Sequence, residues 1–217
     1  MLNPYNKYDK KTLELIKESG FRAEGSGMHK IFLKHAKKSS ERALSSSEKK
    51  RFEEEISESA STILFSVLAC ESIISEYITH FEFSASSIPS ELEKLRRESD
   101  PLVKWKTLLK YSDLSIQLSE NTHYLRFSCL IKLRNSIAHR SARMLSAKSF
   151  PKEFAPCIKQ KMIPEPTVFR GNWILTILNP EMAHWAYEVA KDWLDWSKKY
   201  VKIDEKKVQL SPRHSIK

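Results

Sequence analysis

At 217 residues and 41% hydrophobic content, the chain is long enough for one large domain with a real core. Four glycines argue against a turn-rich all-β fold or a phosphate-cradling loop. The net charge of +10 is concentrated at the ends: residues 1–51 carry an excess of seven, residues 197–217 an excess of five, and residues 52–196 stand at −2.

The three cysteines, Cys70, Cys129 and Cys157, are far apart and form no CxxC, so a zinc ribbon and a disulfide framework are both disfavoured. Reduced thiols in a cytoplasmic protein are the expectation. The polar start MLNPYNKYDKK is no secretory signal. The longest apolar run, Ile63–Cys70, spans eight residues and is too short to cross a bilayer.

In chain order, DKKTLELIKES at 9–19 reads as a short helix ended by Gly20. MHKIFLKHAKK reads as another, followed by a polar linker, SSERALSSS. Ser45 and Glu48 have capping-box spacing and open the next element. A long helix is expected over about 48–80, with Ile56, Ala60, Ile63, Leu64, Val67, Ile74 and Ile78 recurring at threes and fours. Glu71 falls in this apolar row, and a carboxylate there needs a partner. After the break SASSIPS, residues 90–98 read as helical, and Asp100-Pro101 opens a helix with Leu102, Trp105, Leu108 and Leu109 on one side. The next helix is expected over 121–147. Four prolines between 151 and 166 mark an irregular stretch. TVF and WILTIL flank RGN and read as a β-hairpin. Asn179-Pro180 begins a last helix, in which Met182, Trp185, Val189, Trp193 and Trp196 are spaced for the core. The expected fold is mainly α, an up-and-down bundle with a small β-hairpin insertion before the last helix. The expected division is an N-terminal helical extension at 1–45, a helical domain at 46–202 and a basic tail at 203–217.

The 121–147 helix carries an unusual stretch, KLRNSIAHRSARM at 132–144. From Asn121 to Lys152 there are seven Lys or Arg and no acid. At 100° per residue, Lys132, Asn135, His139 and Arg143 share a face. Arg134 shares a row with Phe127, Ile131, Ala138 and Leu145, so it should sit at the edge of the polar face, partly buried. A half-buried guanidinium keeps its charge, His exchanges protons near neutrality, and Asn orients either or binds a phosphate oxygen. This set suits RNA transesterification without a metal. That reaction needs a base for the 2′-hydroxyl, an acid for the leaving 5′-oxygen, and positive charge at the phosphoryl oxygens. His139 can take one proton role and Arg134 the charge; a second copy of His139 in a dimer would take the other role. An Arg-Asn pair followed by His at that spacing arises by chance roughly 0.01 times in a chain of this composition. A solvated basic face is the competing reading.

RNSIAH resembles the Arg-Asn-x-x-x-His motif of the HEPN superfamily. LFSVLACESIISEYI is similar to the early helix of that family, PLVKWKTLL to a middle helix and LNPEMAHWAYEVAKDWL to a closing one. The resemblance covers about 48–200 and implies an α-helical, often dimeric, metal-independent endoribonuclease of toxin–antitoxin or anti-phage systems. It assigns catalysis to Arg134, Asn135 and His139, and a supporting role to Glu71 as a partner of Arg134 or another base. Lys132, Arg140 and Arg143 are candidate RNA contacts. No cofactor, metal or membrane is expected. The expected partners are RNA, a second copy and an antitoxin or sensor protein. The alternatives are a non-catalytic RNA- or nucleotide-binding module of the same type, and a helical interaction subunit whose basic ends hold a protein.

Overall fold

The computed structural model describes residues 27–84, 94–95, 97–110, 118–138, 154–165, 170 and 172–200, with residues 79–84 and 200 as backbone only. Among the described residues there are seven helices packed as a bundle: α1 Met28–Glu48, α2 Phe52–Ser84, α3 Pro101–Lys110, α4 Thr122–Ala138, α5 Ala155–Lys159, α6 Trp173–Ile177 and α7 Pro180–Tyr200. The expected helix at 9–19 and the tail lie outside the described residues.

α1 corrects the sequence reading. SSERALSSS is no linker; it is the second half of a continuous 21-residue helix, so the boundary expected at 45/46 falls inside an element. The reason is tertiary. Ala36, Ser39, Ser40 and Ala43 are buried, as are Ser59, Thr62 and Ser66 of α2, and these small side chains let two long helices lie close together. Burial of that face outweighs the weak helix propensity of serine. A tight turn joins the two helices, with Lys50 in the left-handed region at φ 57° and the Arg51 amide donating to the Ser46 carbonyl at 2.8 Å.

α2 is the central helix and packs on α1, α3, α4 and α7. By length and composition its stretch Phe52–Ile78, whose most apolar window has a mean hydropathy of 1.4, is apolar enough to cross a membrane, and half of that window is buried inside the bundle. α3 and α7 begin as the sequence suggests. Asp100 accepts from the Leu102 amide at 2.8 Å, and Asn179 accepts from the Met182 amide at 2.8 Å.

The expected β-hairpin is absent where it can be compared. Trp173–Ile177 is helical, and Arg170 and Asn172 form only an isolated bridge. Asn172 caps the helix by accepting from the Leu175 amide at 2.9 Å, and Thr176 Oγ1 donates back to the Asn172 carbonyl at 2.7 Å. Local capping thus overrides a β-branched, aromatic composition. The cysteine expectation is also corrected. Cys129 of α4 and Cys157 of α5 are joined as a disulfide with a Cα–Cα separation of 6.5 Å, and Cys70 alone is free.

The core centres on Trp193 of α7. Phe127 of α4 stacks on it at 5.0 Å with parallel rings, and Trp105 of α3 meets it edge-on at 4.9 Å. These contacts fix how α4 is rotated. Phe127, Leu130, Ile131 and Leu133 turn inward, which leaves Lys132 and Asn135 exposed. Replacing Trp193 with Ala should cost about 3–5 kcal/mol, measured by chemical denaturation, and Trp193→Phe should cost less. A loss below about 1 kcal/mol would mean that α4 is oriented by other contacts.

Candidate functional site

The site is built on the second half of α4 and the facing stretch of α2. Arg134 emerges at the rim of the inward row that contains Phe127 and Ile131. Its Nη2 donates to Glu71 Oε1 of α2 in a close ion pair. Their side chains are 22% and 30% exposed, so the pair is open to water on one side. A guanidinium has five N–H donors, and one carboxylate oxygen occupies only some of them. Arg134 is therefore held in place while still facing outward, the arrangement a phosphate clamp requires.

The structure brings Arg134, Asn135 and Glu71 into one neighbourhood. Lys132 is exposed on α4, three residues and just under one turn before Asn135. His139, Arg140 and Arg143 lie outside the described residues. The tryptophans Trp173, Trp185, Trp193 and Trp196 are buried, as core residues. Trp196 also stacks with His123 at 6.3 Å, near the start of α4.

Two features escaped the sequence. The first is a second acid–arginine pair on α2. Glu55 is almost fully buried and accepts from Arg170 Nη1 at 2.5 Å, while the Arg170 guanidinium lies 5.1 Å from the centre of the Phe52 ring. Glu55 precedes Glu71 by 16 residues, about 24 Å along a helix, so this pair anchors the far end of the bundle. Its signal was hidden in the run Glu53–Glu55, which reads as a solvated helix start. The second is a cavity of 570 Å³ at that same end, lined in part by Ser40, Leu44, Arg170, Asn179 and His184. Among the described residues no group of three or more His, Cys, Asp or Glu side chains is placed to hold a metal ion.

Burial, with the Glu71 carboxylate as the second cause, pushes the Cys70 thiol pKa well up. Its Sγ sits 4.0 Å from the Ala190 carbonyl, inside the α2–α7 contact, and is an inert packing group.

Comparison with family models, with curated proteins and with solved structures finds no match.

The ion pair has a direct energetic test. A double-mutant cycle on Glu71→Ala and Arg134→Ala should give a coupling of about 1 kcal/mol in unfolding free energy, because the pair is close but half-open to water. Additive single-mutant losses would mean that Glu71 does not hold Arg134.

Proposed function

We propose that this protein is a metal-independent endoribonuclease of HEPN type, acting in the cytoplasm as a toxin or anti-phage effector. The observation that carries the reading is Arg134. It sits at the rim of the core, pinned by Glu71, beside exposed Asn135, on a helix within an acid-free basic window. A helix that served packing alone would gain nothing from that charge, since a half-buried ion pair contributes little net stability.

In the proposed reaction the RNA phosphate binds at Arg134, with Asn135 donating to a phosphoryl oxygen or orienting His139. The 2′-hydroxyl oxygen attacks phosphorus and loses its proton to one His139. The 5′-oxygen leaves and takes a proton from a second acid. Arg134 offsets the charge that builds on the phosphoryl oxygens. Lys132, Arg140 and Arg143 hold neighbouring phosphates and make affinity fall steeply with salt. No step draws on a cofactor or a metal.

A single chain supplies one motif histidine, so the second proton role falls to another copy. Leu64 and Leu68 of α2 are 41% and 38% exposed, one turn apart, and Glu71 follows in the next turn. This apolar strip beside the motif gives a second copy a surface to pack on across a two-fold axis. It also answers the physical difficulty of pairing two basic faces, because apolar burial offsets their repulsion. An antitoxin or sensor protein that covers the same strip would keep the enzyme silent.

The chemistry is tested with purified protein and RNA in EDTA. Cleavage should leave a 2′,3′-cyclic phosphate or a 3′-phosphate. A 2′-deoxy substitution at the cut should abolish it, and His139→Ala should lower the rate by at least about a hundredfold. Products with 3′-hydroxyl ends, or strict magnesium dependence, would overturn the mechanism.

The assembly is tested by sedimentation and by mixing. Leu64→Glu with Leu68→Glu should convert dimer to monomer and remove activity. Heterodimers of His139→Ala and unaltered chains should retain far less than half the activity; a value near one half would mean that each chain works alone.

A further inference from the structure

We propose that the first half of α1 is a docking surface for the sugar-phosphate backbone of RNA, built by Lys30, Lys34, Lys37 and Lys38 and separate from the motif on α4. The choice of RNA rests on the ribonuclease reading; the existence of a polyanion-binding face does not.

The four lysines are all exposed, and they fall within about 100° of arc around α1, over about 12 Å of its axis. The buried row of the same helix, Ala36, Ser40 and Ala43, lies on the opposite side. α1 and α4 both pack on α2 and α7, and the lysine face is turned away from those two helices. It is therefore a different surface of the bundle from the one that carries Arg134. No acid occurs from Met28 to Ser40. Among the described residues, the ion pair these lysines make is that of Lys37 with Glu41, at 3.9 Å and with both side chains largely in water. A pair that long and that wet leaves the charge open to another partner.

The arrangement works against the helix that carries it. Lys30 and Lys34, and again Lys34 and Lys38, are like charges four residues apart, which repel across one turn. Lys30 also adds a cation to the first turn of α1, where the helix dipole is already positive and no acid is present. The other two long helices follow the opposite pattern. α2 opens on Glu53, Glu54 and Glu55, while α7 opens with Glu181 and closes with Lys198 and Lys199. Stability of α1 thus gives no reason for its lysines. An anion settled along them relieves the repulsion, so the face and a polyanion are complementary in charge.

Nucleic acid fits this face better than a lipid surface. A helix that lies on a membrane buries an apolar face in it. From Lys30 to Lys38 the exposed arc holds lysines alone, with Ile31 at its edge, and the opposite face of α1 is spent on the bundle. Lysine is a compact point charge that meets phosphates without reading bases. The face therefore holds RNA of any sequence. An RNA long enough to reach both α1 and the motif is held at two places, which raises affinity without altering the chemical step.

The test compares the full chain with a variant carrying Lys30→Gln, Lys34→Gln, Lys37→Gln and Lys38→Gln. The probe is a long, fully 2′-O-methylated RNA, which has no attacking hydroxyl. The variant should bind it at least tenfold more weakly. Its slope of log affinity against log salt should be shallower by about 3, since each phosphate neutralised on a single strand contributes about 0.7. Arginine at the same four positions should keep the slope of the unaltered chain. An unmodified RNA of about five nucleotides, which fills the motif alone, should be cut in EDTA at equal rates by the unaltered chain and the glutamine variant. Equal salt slopes and affinities for the long RNA would overturn the docking face and leave the ribonuclease reading standing. The expected difference in slope without cleavage by either chain would uphold the docking face and overturn the ribonuclease reading. Slower cutting of the short RNA by the glutamine variant would overturn the separation of the two surfaces. Failure of the unaltered chain to bind the long RNA would overturn the proposal; binding to phosphatidylserine vesicles instead, lost in the glutamine variant, would assign the face to a lipid surface.

Discussion

A carboxylate on the apolar stripe of a central helix has to be met by a cation, and in this protein Glu71 is met by Arg134. The pairing sets the position of everything around it. α2 supplies the acid from the middle of the bundle, and α4 must lie with Arg134 at its rim to reach it. Phe127 stacked on Trp193 gives α4 that rotation from the inside, so packing and electrostatics agree on one orientation. Lys132 and Asn135 then face outward as a consequence. The same device recurs at the other end of α2, where Glu55 holds Arg170, but there the acid is nearly fully buried and the pair fastens structure. The two pairs differ in the acid: Glu71 keeps 30% of its side chain in water and Glu55 only 5%, while both arginines are partly exposed.

Much of this could be read from the residues. The long helix with Glu71 in its apolar row, the helix opened by Asp100-Pro101 and the closing tryptophan helix are found within a few residues of their expected places. The partly buried position of Arg134 followed from its row, since Phe127 and Ile131 are both in the core. What was hidden depended on contacts distant in sequence. Serine in SSERALSSS is polar by composition, yet Ser39, Ser40 and Ser46 are small enough to be buried between helices, and only the facing row of α2 decides that. WILTI has strand-like composition, and Asn172 turned it into a helix through one capping bond. The pairing of Cys129 with Cys157 joins two elements whose proximity no spacing rule encodes.

The electrostatic layout gives these parts a common purpose in the proposed function. The middle of the chain is close to neutral, while the motif window holds seven basic residues and no acid. Glu71 comes from another helix, so its negative charge reaches Arg134 only through the fold. Glu71 fixes Arg134 and Asp192 pairs with Arg126, and in the proposed function the basic excess of the window is the distribution a polyanion ligand needs. The exposed Leu64 and Leu68 lie on the same helix as Glu71, so the surface and the clamp that the proposed function calls for would share one rigid element.

The most direct measurement of the central claim, that Arg134 held by Glu71 is the working centre of an RNA-cleaving site, is a map of RNA 5′-hydroxyl ends in cells making the protein. At equal protein levels, the unaltered chain should generate a set of new 5′-hydroxyl ends, Arg134→Ala should generate none of them, and Glu71→Ala should generate the same set at reduced frequency. The same ends at the same frequency with Arg134→Ala would contradict the account.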